Sequence, residues 1–121
     1  MKKLPKSIGP YTAYRRNGNF LVTSGQLPIN PETNQIEATT VYEQVLQCLS
    51  NIEAIVSNEG FQFEDVMKLT VYLTDLSKFS EVNQAFEEKL AAPYPARTAI
   101  EISKLPMNAL VEIEALVMGE N

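Results

Sequence analysis

The sequence contains no histidine and only one cysteine, Cys48, among its 121 residues. Without histidine, Ser-His-Asp and Cys-His catalysis are excluded, and the commonest metal ligand is missing. A single cysteine can form neither an internal disulfide nor a zinc site of several thiolates, and it is typical of a reducing compartment. Any acid–base chemistry must therefore come from carboxylates, tyrosine, lysine, backbone groups or bound water.

Long apolar runs are also missing, since no stretch approaches the roughly 20 residues that a membrane-spanning helix requires. The basic start, "MKKLPKSIGPY", is not followed by an apolar run, so we expect no secretory signal and a cytoplasmic protein. Residues 1–16 hold five of the ten basic side chains and no acid, whereas residues 17–121 hold all fifteen acids. The net charge of −5 weighs against a nucleic-acid surface, and no glycine-rich phosphate loop supports nucleotide binding.

Two segments have the periodicity of amphipathic helices. Thr40 and Glu43 predict a capping box at the start of the first, and Gly60 predicts its end. Cys48 lies on the apolar stripe of this helix, so we interpret it as a packed small hydrophobe and not as a nucleophile. The second helix is predicted to begin at about Ser77.

The remaining periodic segments alternate as strands. "GNFLVTSGQ", "RTAIEISKL" and "ALVEIEALVM" are three of them, and a further strand is predicted near residues 11–16. In "VMKLTVYLTD" one face is predicted to carry Met67, Leu69, Val71 and Leu73. The last two strands are joined by a turn around Pro106 and Asn108.

The order of these elements predicts a single α+β domain over residues 1–121, with two layers. Sequence-adjacent strands are expected to pair in a mixed sheet, and both helices are expected to cover one face of it. The final strand has apolar residues on both faces, so one apolar face would remain exposed in a lone chain. We therefore predict a homo-oligomer in which the open sheet faces bury one another.

Arg97 stands out because the only other arginines are Arg15 and Arg16. Its rigid planar fork can grip a small carboxylate substrate through two parallel hydrogen bonds. The alternative is a salt bridge to a nearby Asp or Glu.

Glu112 and Glu114 alternate with large apolar residues in the last strand, so partial burial could raise the pKa of one of them. The pattern does not choose between these two carboxylates. Asn83 lies on or beside the apolar stripe of the second helix, where a polar amide must find hydrogen bonds.

Four blocks of the sequence resemble the RidA family of enamine/imine deaminases, the YjgF-type proteins. They are "IGPYTAYRRNGNFLVTSGQLPINPETNQI", "DVMKLTVYLTDLSKFSEVNQAFEE", "YPARTAIEISKLP" and "ALVEIEALV". The blocks follow the family order at close to the family spacing, and together they run from about Ile8 to Val117.

This resemblance implies a chorismate-mutase-like fold and a trimer whose sheets form a central barrel, with clefts between subunits. It implies hydrolysis of the imines formed from 2-aminoacrylate or 2-aminocrotonate to 2-keto acids and ammonia. Pyridoxal-phosphate-dependent dehydratases supply these intermediates, and the family uses no cofactor and no metal.

The resemblance also implies roles for individual residues. Arg97 matches the arginine that binds the substrate carboxylate, and Glu112 matches the glutamate that positions or activates the attacking water, which leaves Glu114 as a neighbour. The other matching positions line the pocket: Tyr11, Ser24, Gly25, Asn83 and Ala99. Of these, Tyr11 is contributed across the interface.

Three positions depart from the family pattern. Ala13 stands where many members have glutamine, and Thr98 and Ala99 stand where serine and often cysteine occur. Because the family uses backbone groups at the position of Ala99, these departures bear on the choice of imine more than on activity. Two other functions stay open: a non-catalytic binder or sensor of small 2-keto acids, and, ranked last, an endoribonuclease or translation inhibitor.

Overall fold

The computed structural model describes residues 1–7 and 9–120; Ile8, where the family resemblance begins, and Asn121 lie outside the described residues. The elements follow the predicted order of strand, strand, helix, strand, helix, strand, strand. They are β1 (Tyr14–Asn17), β2 (Phe20–Thr23), α1 (Val41–Asn58), β3 (Val66–Leu73), α2 (Phe79–Lys89), β4 (Ala96–Glu101) and β5 (Val111–Met118).

The five strands form one mixed sheet in the order β1-β2-β5-β3-β4. β3 and β4 are parallel and joined through α2, whereas the other neighbours are antiparallel. The expectation that sequence-adjacent strands pair is correct for β1–β2 and β3–β4 but wrong for β2–β3 and β4–β5, because β5 inserts between β2 and β3. This placement follows from burial: β5 alternates buried with partly exposed residues and suits the centre of the sheet, while the mostly exposed β4 suits an edge.

Helix α1 begins and ends close to the predicted residues. The Thr40 hydroxyl oxygen accepts from the Glu43 amide at 3.1 Å, but the Glu43 carboxylate accepts from that hydroxyl and not from the Thr40 amide, so half of the predicted capping box forms. Gly60, with φ +82°, ends the helix. Its amide donates to Ser57 O and the Phe61 amide donates to Val56 O, which satisfies two of the last carbonyls.

The hydrophobic core lies between the sheet and the two helices, as predicted. Cys48 is fully buried within it, and burial, followed by the negative charge of Glu112, raises the pKa of its thiol well above the ordinary value. A buried thiol that stays protonated is a packing residue, so the interpretation of Cys48 is confirmed.

Met67 is the exception among the residues predicted to share a strand face. Leu69, Val71 and Leu73 are buried, but Met67 is 59% exposed and Val66 is buried in its place. The pairing of β3 with β5 shifts register between Val66 and Lys68. This irregularity interrupts the alternation on which the prediction depended.

The sheet face away from the helices remains uncovered in a single chain. Large apolar side chains are partly exposed on it: Phe20 (41%), Ile100 (43%), Leu116 (42%) and Met118 (45%). We call this surface the open face. In the described part of the chain, neither helix is long and apolar enough to cross a membrane.

Candidate active site

Arg97 is the second residue of the edge strand β4, where it lies beside Leu69 of β3. Leu69 is buried against the helices, so Arg97 projects to the helix side of the sheet as well. Its Nη1 atom donates to Asn83 Oδ1 at 2.7 Å. The guanidinium carbon lies 4.7 Å from the ring centre of Phe79 and 5.2 Å from that of Phe86, which is within cation–π range.

The three α2 residues that hold Arg97 share one side of the helix, because residues 79, 83 and 86 are spaced by four and three. Asn83 Oδ1 therefore accepts a hydrogen bond directly from the guanidinium, which gives the amide oxygen a partner. Two rings and one neutral amide orient the arginine without neutralising its charge.

Arg97 is exposed, and it forms no ion pair within 4.0 Å among residues 1–7 and 9–120. The salt bridge that was the alternative interpretation is therefore not present in this part of the molecule. A cavity of about 310 Å³ adjoins the guanidinium. It is lined by Asn83, Phe86, Glu87, Tyr94, Pro95 and Arg97.

Glu112 lies on the opposite side of the sheet. It is paired with Tyr72 of β3 and alternates with the buried Val111 and Ile113, so its side chain projects onto the open face. A second cavity, of about 390 Å³, lies there. It is lined by Tyr11, Ser24, Gly25, Leu27, Pro106 and Glu112.

A side chain at Gly25 would have to displace the Glu112 carboxylate, which occupies that space. A Cβ atom at Gly25 would lie 2.6 Å from both Glu112 Cδ and Oε1. The backbone next to Gly25 is fixed by Gln26, whose amide donates to Ile113 O at 2.7 Å and whose carbonyl accepts from the Ile113 amide at 3.1 Å. Two strand segments thus bring Gly25 and Glu112 into contact.

Ser24 connects this contact to the segment that carries Tyr11. Its hydroxyl donates to Thr12 O at 2.6 Å and its amide donates to Ala13 O at 2.9 Å. The exposed ring of Tyr11 lines the same cavity. Tyr11, Ser24, Gly25 and Glu112 therefore form one cluster.

The two candidate carboxylates on the open face have different surroundings. The Tyr72 hydroxyl donates to Glu114, whereas among the described residues no hydrogen bond reaches the Glu112 carboxylate. Burial, followed by the negative charge of Glu114, raises the pKa of Glu112 above its ordinary value of 4.5. Among the described residues, Glu112 is thus the carboxylate without a hydrogen-bond partner, whereas Glu114 is engaged by Tyr72.

The predicted site residues therefore divide into two groups on opposite sides of the sheet. Arg97 and Glu112 lie beside Leu69 and Tyr72 of β3, which are about 10 Å apart along the strand at roughly 3.3 Å per residue. Their strands β4 and β5 flank β3, and their side chains project in opposite directions. One chain does not bring these two residues together.

Ala99 lies on the Arg97 side, in register with Val71. Its side chain is partly buried against the hydrophobic core and does not line the Arg97 cavity. Because β4 is an edge strand, the backbone of Ala99, and not its side chain, is the part that remains available to contact a ligand.

Several residues of the two cavities escaped the sequence interpretation. Phe86, and Phe79, which contacts Arg97 without lining either cavity, lie on the apolar stripe of the second helix, and their spacing around Asn83 was a usable signal. Glu87, Tyr94 and Pro106 carried no pattern that pointed to a cavity. In the described ranges, no three carboxylate or thiol side chains converge as a metal site would require.

Comparison with known proteins gives concordant results. The sequence model of a family described as endoribonuclease L-PSP matches residues 1–118. The 2-iminobutanoate/2-iminopropanoate deaminase of Escherichia coli K12 is 40% identical in an alignment of 117 residues that covers 94% of this chain and 91% of that protein.

Two solved structures have the same fold. The structure of RidA from an Antarctic Psychrobacter superimposes with a TM-score of 0.92 at 39% identity, covering 96% of this chain and 94% of that one. The structure of E. coli TdcF with bound serine superimposes with a TM-score of 0.90 at 35% identity, covering 98% and 94% of the two chains.

Proposed function

The chain belongs to the RidA (YjgF-type) family, and on that premise we propose that it hydrolyses 2-imino acids to 2-keto acids and ammonia. Its substrates would be the imines that form from 2-aminoacrylate and 2-aminocrotonate. The observation that carries this proposal is the state of Arg97. An exposed guanidinium that is oriented by Asn83 and two rings, with no carboxylate partner among the described residues, is suited to bind a substrate carboxylate.

The reaction adds water to the imine carbon and then expels the nitrogen as ammonia. Arg97 holds the carboxylate next to the imine, so the reacting carbon stays near an ordered water molecule. Glu112 accepts a proton from that water as its oxygen bonds to carbon. Because its pKa is raised, Glu112 can then return the proton to the departing nitrogen. This first proton converts the imine nitrogen into the amino group of a carbinolamine. Glu112 then relays the remaining proton, from the carbinolamine hydroxyl, to that amino group. The carbon–nitrogen bond breaks, the keto group forms, ammonia leaves, and Glu112 is again a carboxylate.

Such a site needs two copies of the chain, because Arg97 and Glu112 of one chain face away from each other. We propose a homotrimer in which the open faces form a central barrel and each cleft combines the Arg97 side of one copy with the Glu112 side of its neighbour. The partly exposed apolar side chains of the open face support this assembly, since burying them in an interface would be favourable. Tyr11 would enter the cleft together with Glu112.

The proposed substrates also define the reactions upstream. Dehydratases dependent on pyridoxal phosphate release enamines from hydroxyamino acids, and these enamines tautomerise to 2-imino acids. The protein would remove such reactive intermediates in the cytoplasm, and it would need no cofactor of its own.

The direct test is the release of ammonia from 2-aminocrotonate generated by a dehydratase. We expect the wild-type protein to accelerate release and Arg97→Ala to abolish the acceleration while keeping the fold, as checked by circular dichroism. Wild-type protein that gives no acceleration would overturn the proposal.

Mixing two inactive variants tests whether the site is shared. If Arg97→Ala and Glu112→Gln chains are mixed in equal amounts, unfolded and reassembled, three quarters of the randomly formed trimers contain both kinds of chain. Each mixed trimer then has one intact cleft of three, so activity should recover to about a quarter of the wild-type value. Each variant reassembled alone is the control, and continued inactivity of the mixture would contradict a shared site.

A non-catalytic binder of 2-keto acids would use the same arginine. Glu112→Gln separates the two functions, because an enzyme would lose turnover and keep ligand binding. If wild-type protein binds 2-oxobutyrate without turning over any imine, the binder is the correct function.

A further inference from the structure

The Arg97 cavity contains two opposite charges that do not pair. Glu87 follows Asn83 by four residues on α2, so the two lie one turn apart on the same side of the helix. Both line the cavity with Arg97, yet no ion pair within 4.0 Å joins Glu87 to Arg97. The guanidinium is bonded instead to the neutral Asn83.

No second cation lines this cavity among the described residues. Lys89, the nearest lysine along α2, donates to Glu53 at 2.9 Å. Lys68 is in register with Ala96, next to Arg97, but lies on the other side of the sheet. A ligand held by Arg97 would therefore find one positive group and, elsewhere on the lining of the same cavity, one negative group.

We propose that Glu87 determines the charge class of the substrate, so that the site accepts monocarboxylic imino and keto acids and discriminates against dicarboxylic ones. This inference rests on the proposed function, in which Arg97 binds the first carboxylate. Once that carboxylate neutralises Arg97, a second carboxylate farther along the ligand meets the negative charge of Glu87, and no second cation among the described residues of the same chain lines the cavity to offset it. A ligand with an uncharged end meets no such repulsion.

Glu87 is exposed, so water and salt screen its charge. The discrimination should therefore depend on ionic strength and should be one of degree. Removing the charge without changing the shape is possible, because glutamine has nearly the size of glutamate.

The test compares two keto acids of similar length by isothermal titration calorimetry: 2-oxohexanoate, with an uncharged end, and 2-oxoglutarate, with a second carboxylate. We expect the wild-type protein to favour 2-oxohexanoate. In Glu87→Gln the affinity for 2-oxoglutarate relative to 2-oxohexanoate should rise by roughly three- to tenfold at low salt. The gain should shrink in 0.5 M salt, since the screening length then falls to roughly 4 Å.

The matched control is Glu64→Gln, which removes the same charge from an exposed position that does not line this cavity. An unchanged ratio of affinities in Glu87→Gln, or an equal change in Glu64→Gln, would overturn the role of Glu87. If 2-oxohexanoate does not bind, or if Arg97→Ala leaves its affinity intact, the proposed role of Arg97 is wrong and the inference is overturned with it. Binding that depends on Arg97 but not on Glu87 overturns the inference alone.

Discussion

The carboxylate of Glu112 lies where Gly25 would carry its side chain, with Cδ and Oε1 each 2.6 Å from the position of a Cβ atom. The backbone of Gly25 does not have a positive φ, so its conformation alone would tolerate alanine. An added side chain at this position would disturb the contact with the Glu112 carboxylate and not the backbone conformation. A substitution at Gly25 would therefore move the Glu112 carboxylate without changing its chemical nature.

Gly25→Ala should therefore lower kcat by about 100-fold, because the new methyl group pushes the carboxylate away from the attacking water. The free energy of unfolding should change by less than about 1 kcal/mol, since the group that moves is the end of a flexible side chain. Steady-state kinetics and thermal unfolding measure the two effects. An unchanged kcat would mean that the position of Glu112 does not matter to the reaction.

Asn83→Asp should impair substrate binding by giving Arg97 the charged partner that it lacks. The new carboxylate would compete with the substrate for the guanidinium, so we expect KM to rise by about tenfold or more. Asn83→Ala is the control, because it removes the 2.7 Å hydrogen bond without adding charge and should raise KM less. A KM for the Asp variant at or below that of the Ala variant would contradict the assignment of Arg97.

Glu112→Gln should stabilise the fold at neutral pH while it abolishes turnover. The raised pKa of Glu112 means that the folded protein disfavours its charged form, so ionised Glu112 costs stability above that pKa. The cost disappears as pH falls through the raised pKa to the ordinary value of 4.5, below which the group is neutral in both states. Because the carboxylate is partly exposed and screened by water, we expect a gain of about 0.5 kcal/mol at pH 7.

Chemical denaturation of both proteins at pH 7 and pH 4 would check this dependence. The advantage of the variant should be larger at pH 7. An advantage that grows on acidification would mean that Glu112 is stabilised as a carboxylate, which is opposite to the effect of its burial.

The secondary structure was predictable because local signals agree with tertiary packing. Thr40 and Gly60 begin and end α1 through local hydrogen bonds, and Cys48 lies on a stripe that packing buries. The predictions that failed depend on contacts between distant segments, which the spacing of residues along the sequence does not record. The position of β5 between β2 and β3 depends on which strand the fold covers with a neighbour on each side. The exposure of Met67 depends on a register shift between β3 and β5, which are distant in sequence.

The same distinction applies to the candidate site. Strand alternation placed Glu112 and Glu114 on one face, but only the hydrogen bond from Tyr72 to Glu114 distinguishes them. The scarcity of arginine singled out Arg97 and helix spacing singled out Asn83, and the resemblance implied their roles. Their contact was found only in three dimensions. The proposed role of Glu87 could not be predicted, because it depends on a cavity shared with an arginine that has no ion-pair partner among the described residues.

The opposite orientation of Arg97 and Glu112 has a consequence for how activity depends on the amount of protein. Under the proposed function, a newly synthesised chain is inert until it meets other copies, since each chain carries two halves of different sites. Activity should then rise more steeply than in proportion to chain concentration until assembly is complete, and it should fall on dilution although every chain stays folded. An increase in gene dosage would thus raise the proposed activity both by making more chains and by driving a larger fraction of them into the assembled form.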